Sequence, residues 1–122
     1  FVADQWLKSV LARIFVQQCG LCGAPAGDYA LCAACLQDLP SNTPACSRCA
    51  ISLPQPGICG ACLRRPRPFT AAVAALHWQS PVDFLLHRFK YQQRLELGVV
   101  LGEHLAAHLL SQQADMPELL LP

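Results

Sequence analysis

Eight cysteines fall between positions 19 and 62, and they come as four C-x-x-C pairs: Cys19/Cys22, Cys32/Cys35, Cys46/Cys49 and Cys59/Cys62. Nine, ten and nine residues separate successive pairs, so moving the first two pairs along by 27 residues superimposes them on the last two. The repeat reaches beyond the cysteines: Leu31-Cys32-Ala33-Ala34-Cys35-Leu36 returns as Ile58-Cys59-Gly60-Ala61-Cys62-Leu63. One C-x2-C-x9-C-x2-C module is thus used twice.

Four thiolates at tetrahedral corners, about 2.3 Å from the ion, make a closed structural zinc site. Two residues between cysteines let a tight turn aim both sulfurs at one ion, and a short link folds back to deliver the second pair. Gly23 directly follows Cys22, which suits a turn with positive φ. The link is shorter than the 15–20 residues common for this ligand pattern, so each hairpin is expected to be stubby. The expected cofactors are two structural Zn2+. One is held by Cys19, Cys22, Cys32 and Cys35, the other by Cys46, Cys49, Cys59 and Cys62. Sequential pairing is favoured because short loops close at lower entropic cost than an interleaved scheme joining the first pair to the third. Two competitors remain at this point. A disulfide framework suits a short secreted chain, although a bridge within C-x-x-C closes only a tiny loop and no signal peptide is visible. Iron accepts the same thiolate tetrahedron.

With 53% hydrophobic and 14% charged residues, the chain is too apolar for a disordered protein. It contains no apolar run long enough to span a bilayer, and no membrane insertion is expected. Charge is unevenly placed. Residues 46–94 carry seven basic groups (Arg48, Arg64, Arg65, Arg67, Arg88, Lys90, Arg94) against one acid, Asp83. A basic middle suits phosphate, although a solvated surface with ordinary arginines accounts for it better.

The chain divides in order. Residues 1–16 are an N-terminal segment in which Trp6, Leu7, Val10, Leu11, Ile14 and Phe15 recur at helical spacing over 3–16, with Asp4 at its start. Residues 17–68 hold the double zinc module, punctuated by Pro25, Gly27, Pro40, Pro44, Pro54, Pro56 and Gly57 and ending in the stiff basic run Arg64-Arg65-Pro66-Arg67-Pro68. Beyond it, Thr70–Trp78 is expected to be a strand. A helix is expected over Pro81–Tyr91, with Ser80 as N-cap and Val82, Leu85, Leu86 and Phe89 inward. A second helix is expected over Leu95–Gln112, apolar on several faces, with a small-residue stripe at Gly98, Gly102 and Ala106. Leu119-Leu120-Leu121 reads as the start of a strand, so the sequence looks like a piece that stops inside a domain. His104 and His108 stand one helical turn apart without a third ligand and read as a surface pair.

The four C-x-x-C pairs, the segment Leu63-Arg64-Arg65-Pro66-Arg67-Pro68-Phe69, a strand, a helix ending in Phe89-Lys90-Tyr91 and an alanine- and leucine-rich helix occur here in one order. That order resembles the ComF family of bacterial proteins. The resemblance implies a small zinc-stabilised double zinc ribbon of short β-hairpins and turns. In residues 69–122 it implies the first α/β elements of a truncated phosphoribosyltransferase-type domain. It further implies a cytoplasmic role in natural transformation and DNA uptake, with single-stranded DNA and other DNA-uptake proteins as partners. Arg64, Arg65, Arg67, Arg88, Lys90 and Arg94 are the candidate nucleic-acid contacts, through phosphate pairing beside stacking rings. Two other functions stay open: a phosphoribosyltransferase whose catalytic half is absent from this chain, and a structural or protein-docking zinc module. Family phosphate loops combine paired acids with hydroxyl residues and glycine. No such sequence occurs here, so no catalytic residue is carried over and residues 1–122 are expected to lack transferase activity.

Overall fold

The computed structural model describes residues 6, 7, 10, 11 and 16–121. Trp6, Leu7, Val10 and Leu11 are helical, as the apolar spacing predicts, whereas Asp4, Ile14 and Phe15 lie outside the described residues. The ordered elements are β1 (Gln17–Gln18), β2 (Pro25–Gly27), α1 (Ala33–Gln37), α2 (Gly60–Arg64), α3 (Val82–Tyr91) and α4 (Leu95–Ser111). The chain forms two compact units, one of residues 1–40 and 78–101, the other of residues 41–77 and 102–122.

The 27-residue repeat of the sequence is also a repeat of backbone bonds. In the first module the N–H of Cys19 donates to Ala24 O, that of Gly20 to Ala30 O and that of Gly23 to Cys19 O. In the second, Cys46 donates to Ile51 O, Ser47 to Gly57 O and Ala50 to Cys46 O, each pair shifted by the repeat. β1 and β2 pair antiparallel through Gln18 and Pro25, and the second module keeps that point as the isolated bridge Ala45–Ser52. α1 and α2 are the same short helix, each opened by a cysteine, Cys32 or Cys59, in extended conformation. Gly23 has φ +75°, as its turn requires, and its counterpart Ala50 adopts φ +61° with a side chain. That conformation disfavours any residue with a Cβ. Ala50 is held in it by its N–H bond to Cys46 O at 2.9 Å and by Asn42, whose Nδ2 donates to Ala50 O at 2.7 Å.

In the first unit, Val82 and Leu85 bury the inner face of α3, and Leu97 and Val100 that of α4. Leu97 reaches the first module, where a Cβ on Gly20 would stand 3.4 Å from its Cδ2, and Leu31 beside it is fully buried. Gly98 lies directly beneath the Phe89 ring, where any Cβ would overlap it. Of the small-residue stripe, Gly98 therefore serves a close approach, while nothing lies within 4 Å of a Cβ built on Gly102. Arg88 Nη1 donates to Gly20 O at 2.9 Å and ties α3 to the zinc module.

Three expectations are corrected. Thr70–Trp78 is not a strand: it forms one isolated bridge, Leu76 with Ser41, and lone backbone bonds from Ala72 to Arg48 O and from Asn42 to Ala75 O. A ladder needs a continuous partner edge, and the zinc module offers a single point. Ser80 does not cap α3; Pro81 holds the N-cap position without a side-chain bond, and Asp83 Oδ1 accepts the Phe84 N–H at 2.8 Å. Leu119–Leu121 form no strand and are exposed.

In the second unit, Asn42 is the one buried polar side chain among the described residues, 5% exposed. Besides its bond to Ala50, it accepts the Ser52 hydroxyl at Oδ1, and its N–H reaches Ala75 O at 3.1 Å. Asn42→Ala leaves the Ala50 carbonyl without its side-chain partner and frees the left-handed turn. Zinc-saturated protein is expected to lose about 1–3 kcal/mol in denaturant unfolding, and an unchanged midpoint would contradict this role.

Candidate metal centres

The structure gathers the eight cysteines into two groups of four, Cys19/Cys22/Cys32/Cys35 and Cys46/Cys49/Cys59/Cys62, with the sulfurs of each group within 4.8 Å of one another. The pairing is sequential. Cys22 and Cys32 sulfurs stand 3.7 Å apart, and so do those of Cys49 and Cys59. A tetrahedron with zinc–sulfur bonds near 2.3 Å has edges of about 3.8 Å, so the donors fit the ion. A disulfide needs sulfurs at about 2.05 Å, and all eight cysteines are free.

The scaffold prepares these sulfurs for charge. Burial pushes the Cys19 thiol up, but backbone N–H groups of Cys22, Cys32 and Leu21 outweigh it and bring the group from 9.0 down to about 6. Its counterpart Cys46 is also lowered to about 6, first by the Cys59 N–H, 3.3 Å from its sulfur, and against burial. Cys59 is lowered chiefly by the Cys62 N–H. Cys35 goes the other way, to about 12, because Cys32 shares a hydrogen bond with it and burial adds to that. At Cys49 the Ile51 N–H pulls downward, but burial and the Cys62, Cys59 and Cys46 sulfurs prevail and raise it to about 11. Four thiols this close do not all ionise alone. A divalent cation supplies the charge that lets them, and two structural zinc ions fit the two groups.

The sites differ in cover. In the first, Cys22 is exposed and only Cys19 is buried; in the second, Cys46 and Cys62 are both buried. In the second, the Cys62 sulfur pushes the exposed Arg67 guanidinium above the usual arginine range. Of the other basic candidates, Arg64 and Arg65 are exposed at the end of α2. Arg94 pairs with Glu96 and Arg88 is bonded to Gly20 O. Lys90 is exposed and forms no ion pair among the described residues. His104 and His108 belong to no metal-ligating group there. Among the described residues no helix is long and apolar enough to cross a membrane.

Two outcomes test the centres. Under limiting chelator, Cys19, Cys22, Cys32 and Cys35 are expected to become alkylated before the second group, read by peptide mass mapping; the reverse order contradicts the difference in cover. Acid is the second test. Cys19 and Cys46 ionise near 6 when folded against 9.0 ordinarily, so their stabilising effect is complete above about 9 and is lost as pH falls through about 6. A colorimetric zinc dye is expected to report retention at about pH 8 and progressive release below about pH 6, with loss of structure.

Residues 10–63 match the family model of the double zinc ribbon domain. Searches of curated proteins and of solved structures each gave no match. The match and the two tetrahedral sulfur groups agree: this stretch is a zinc-binding double zinc ribbon module with a small β-hairpin.

Proposed function

We propose that the chain is the zinc-bearing N-terminal part of a ComF-like protein and handles single-stranded DNA during uptake. In this reading residues 69–122 begin a phosphoribosyltransferase-like domain, other DNA-uptake proteins are partners, and the site of action is the cytoplasm. The supporting features are the double zinc ribbon match, the basic proline-rich run that follows it, and the helices α3 and α4 in the order the resemblance implies.

The observation that carries the DNA reading is the exposed pair Arg64 and Arg65, presented at the end of α2 directly after the last zinc ligand. A helix rooted in a metal centre holds the backbone of these arginines still, so less entropy is lost when they meet phosphate. Arg67, exposed just beyond them, continues the same basic run. Phosphoribosyl transfer is not assigned to residues 1–122, because the sequence holds no acid pair leading into a hydroxyl- and glycine-bearing phosphate loop.

The test is a salt titration of single-stranded DNA binding. R64E/R65E is expected to lower affinity at low salt and to reduce the slope of log affinity against log salt by about 0.7 per lost phosphate contact. Zinc content serves as the control for folding. Unchanged affinity and slope would make the basic run a solvated linker.

A further inference from the structure

α3 is anchored by one face and decorated with rings on the other. Val82 and Leu85 are buried, while Phe84, His87 and Tyr91 recur at spacings of three and four on the opposite side. Trp78, just before the helix, joins them. Together with Asp83, Leu86 and Lys90 they line a groove of about 510 Å³. Trp78 is 70% exposed, Tyr91 73% and Phe84 49%. Packing of the described residues does not account for three large rings left in water on one short stretch.

The ring positions are supported. The His87 and Tyr91 rings lie 5.0 Å apart at 50°. The Arg88 guanidinium sits 5.3 Å from the Phe84 ring centre while its Nη1 bonds Gly20 O, which fixes that edge of the groove to the first zinc module. The charges define the ligand. Asp83 already accepts the Phe84 N–H. Lys90 lines the groove without an ion pair among the described residues, beside His87. An aromatic cage for a cation places several acids at its rim, whereas this lining sets a single carboxylate, Asp83, against the Lys90 ammonium and the His87 imidazole. A flat ring with an anionic group meets both halves of the lining: its faces stack on Trp78 or Tyr91, and its charge meets Lys90.

We propose that this groove binds a nucleotide, the base stacked on Trp78 and Tyr91 and the phosphate facing Lys90. The inference rests on the nucleic-acid reading above and supplies its base-binding half. The nucleotide comes either free or as one unit of a single strand.

The experiment uses the zinc-loaded chain carrying W6F, so that Trp78 is the sole tryptophan of the two in the sequence. Its fluorescence is titrated with thymidine monophosphate and with oligothymidylate of about ten residues. Saturable quenching is expected. W78A is expected to weaken binding, measured by anisotropy of labelled oligonucleotide, by roughly tenfold to a hundredfold with little change in salt slope. W78F is expected to restore affinity to within a few-fold, because the ring and not the indole is required. Quenching by the free nucleotide at similar strength assigns the site to nucleotides, and quenching by the strand alone assigns it to nucleic acid; both support the proposal. Strand binding with unchanged Trp78 emission and full affinity in W78A overturns the groove and leaves the arginine reading standing. Failure of both probes at low salt overturns the two together. Concentration-dependent dimerisation abolished by W78A, without quenching by either probe, assigns the rings to a second copy and also overturns the proposal.

Discussion

Closure of four thiolates around one ion, performed twice, is the constraint on which the described structure depends. Each zinc module has almost no core: two short helices, a two-residue by three-residue hairpin and its residual bridge cannot offset the conformational entropy of ordering some forty-odd residues. The metal changes the balance because it binds only the assembled ligand set, with roughly 10–16 kcal/mol available per structural site. Backbone N–H groups aimed at the sulfurs of Cys19, Cys46 and Cys59 are what a thiolate cluster needs and what a buried thiol does not. The apolar parts then settle on the modules. Leu97 and Leu31 pack against the Gly20 knuckle, and Arg88 bonds its carbonyl.

The metal centres were legible because ligand spacing is local chemistry. A C-x-x-C turn, a short link and a second C-x-x-C leave few ways to close a tetrahedron, and the 27-residue repeat in the letters reappears bond for bond in the backbone. α3 and α4 were legible from apolar periodicity, with α4 ending at Ser111, one residue before the expected end. What failed depends on partners that no single segment encodes. Thr70–Trp78 has strand-like composition, yet it gains one bridge, Leu76 with Ser41, and two lone backbone bonds, too few for a ladder. Asn42 gave no sequence signal at all. Its role follows from Ala50, which occupies the position where the first module has Gly23.

The division of basic residues into those that serve the fold and those that face solvent changes how the charge pattern is read. Arg88 and Arg94 have protein partners, while Arg64, Arg65, Arg67 and Lys90 are exposed. An excess of positive charge in the middle of the chain is therefore partly a consequence of supporting a backbone carbonyl and a carboxylate. What is left for a ligand is narrower than composition suggests, and of it Lys90 lies among the exposed rings of α3.

The central claim is that two zinc ions, each in an all-sulfur shell, hold residues 19–62 together. Zinc-edge X-ray absorption on protein purified under reducing conditions, combined with metal-to-protein stoichiometry by native mass spectrometry, measures it directly. Two zinc ions per chain with four sulfur neighbours each at about 2.3 Å are expected. A single ion per chain, nitrogen or oxygen in the shell, or metal-free folded protein with paired cysteines would contradict it.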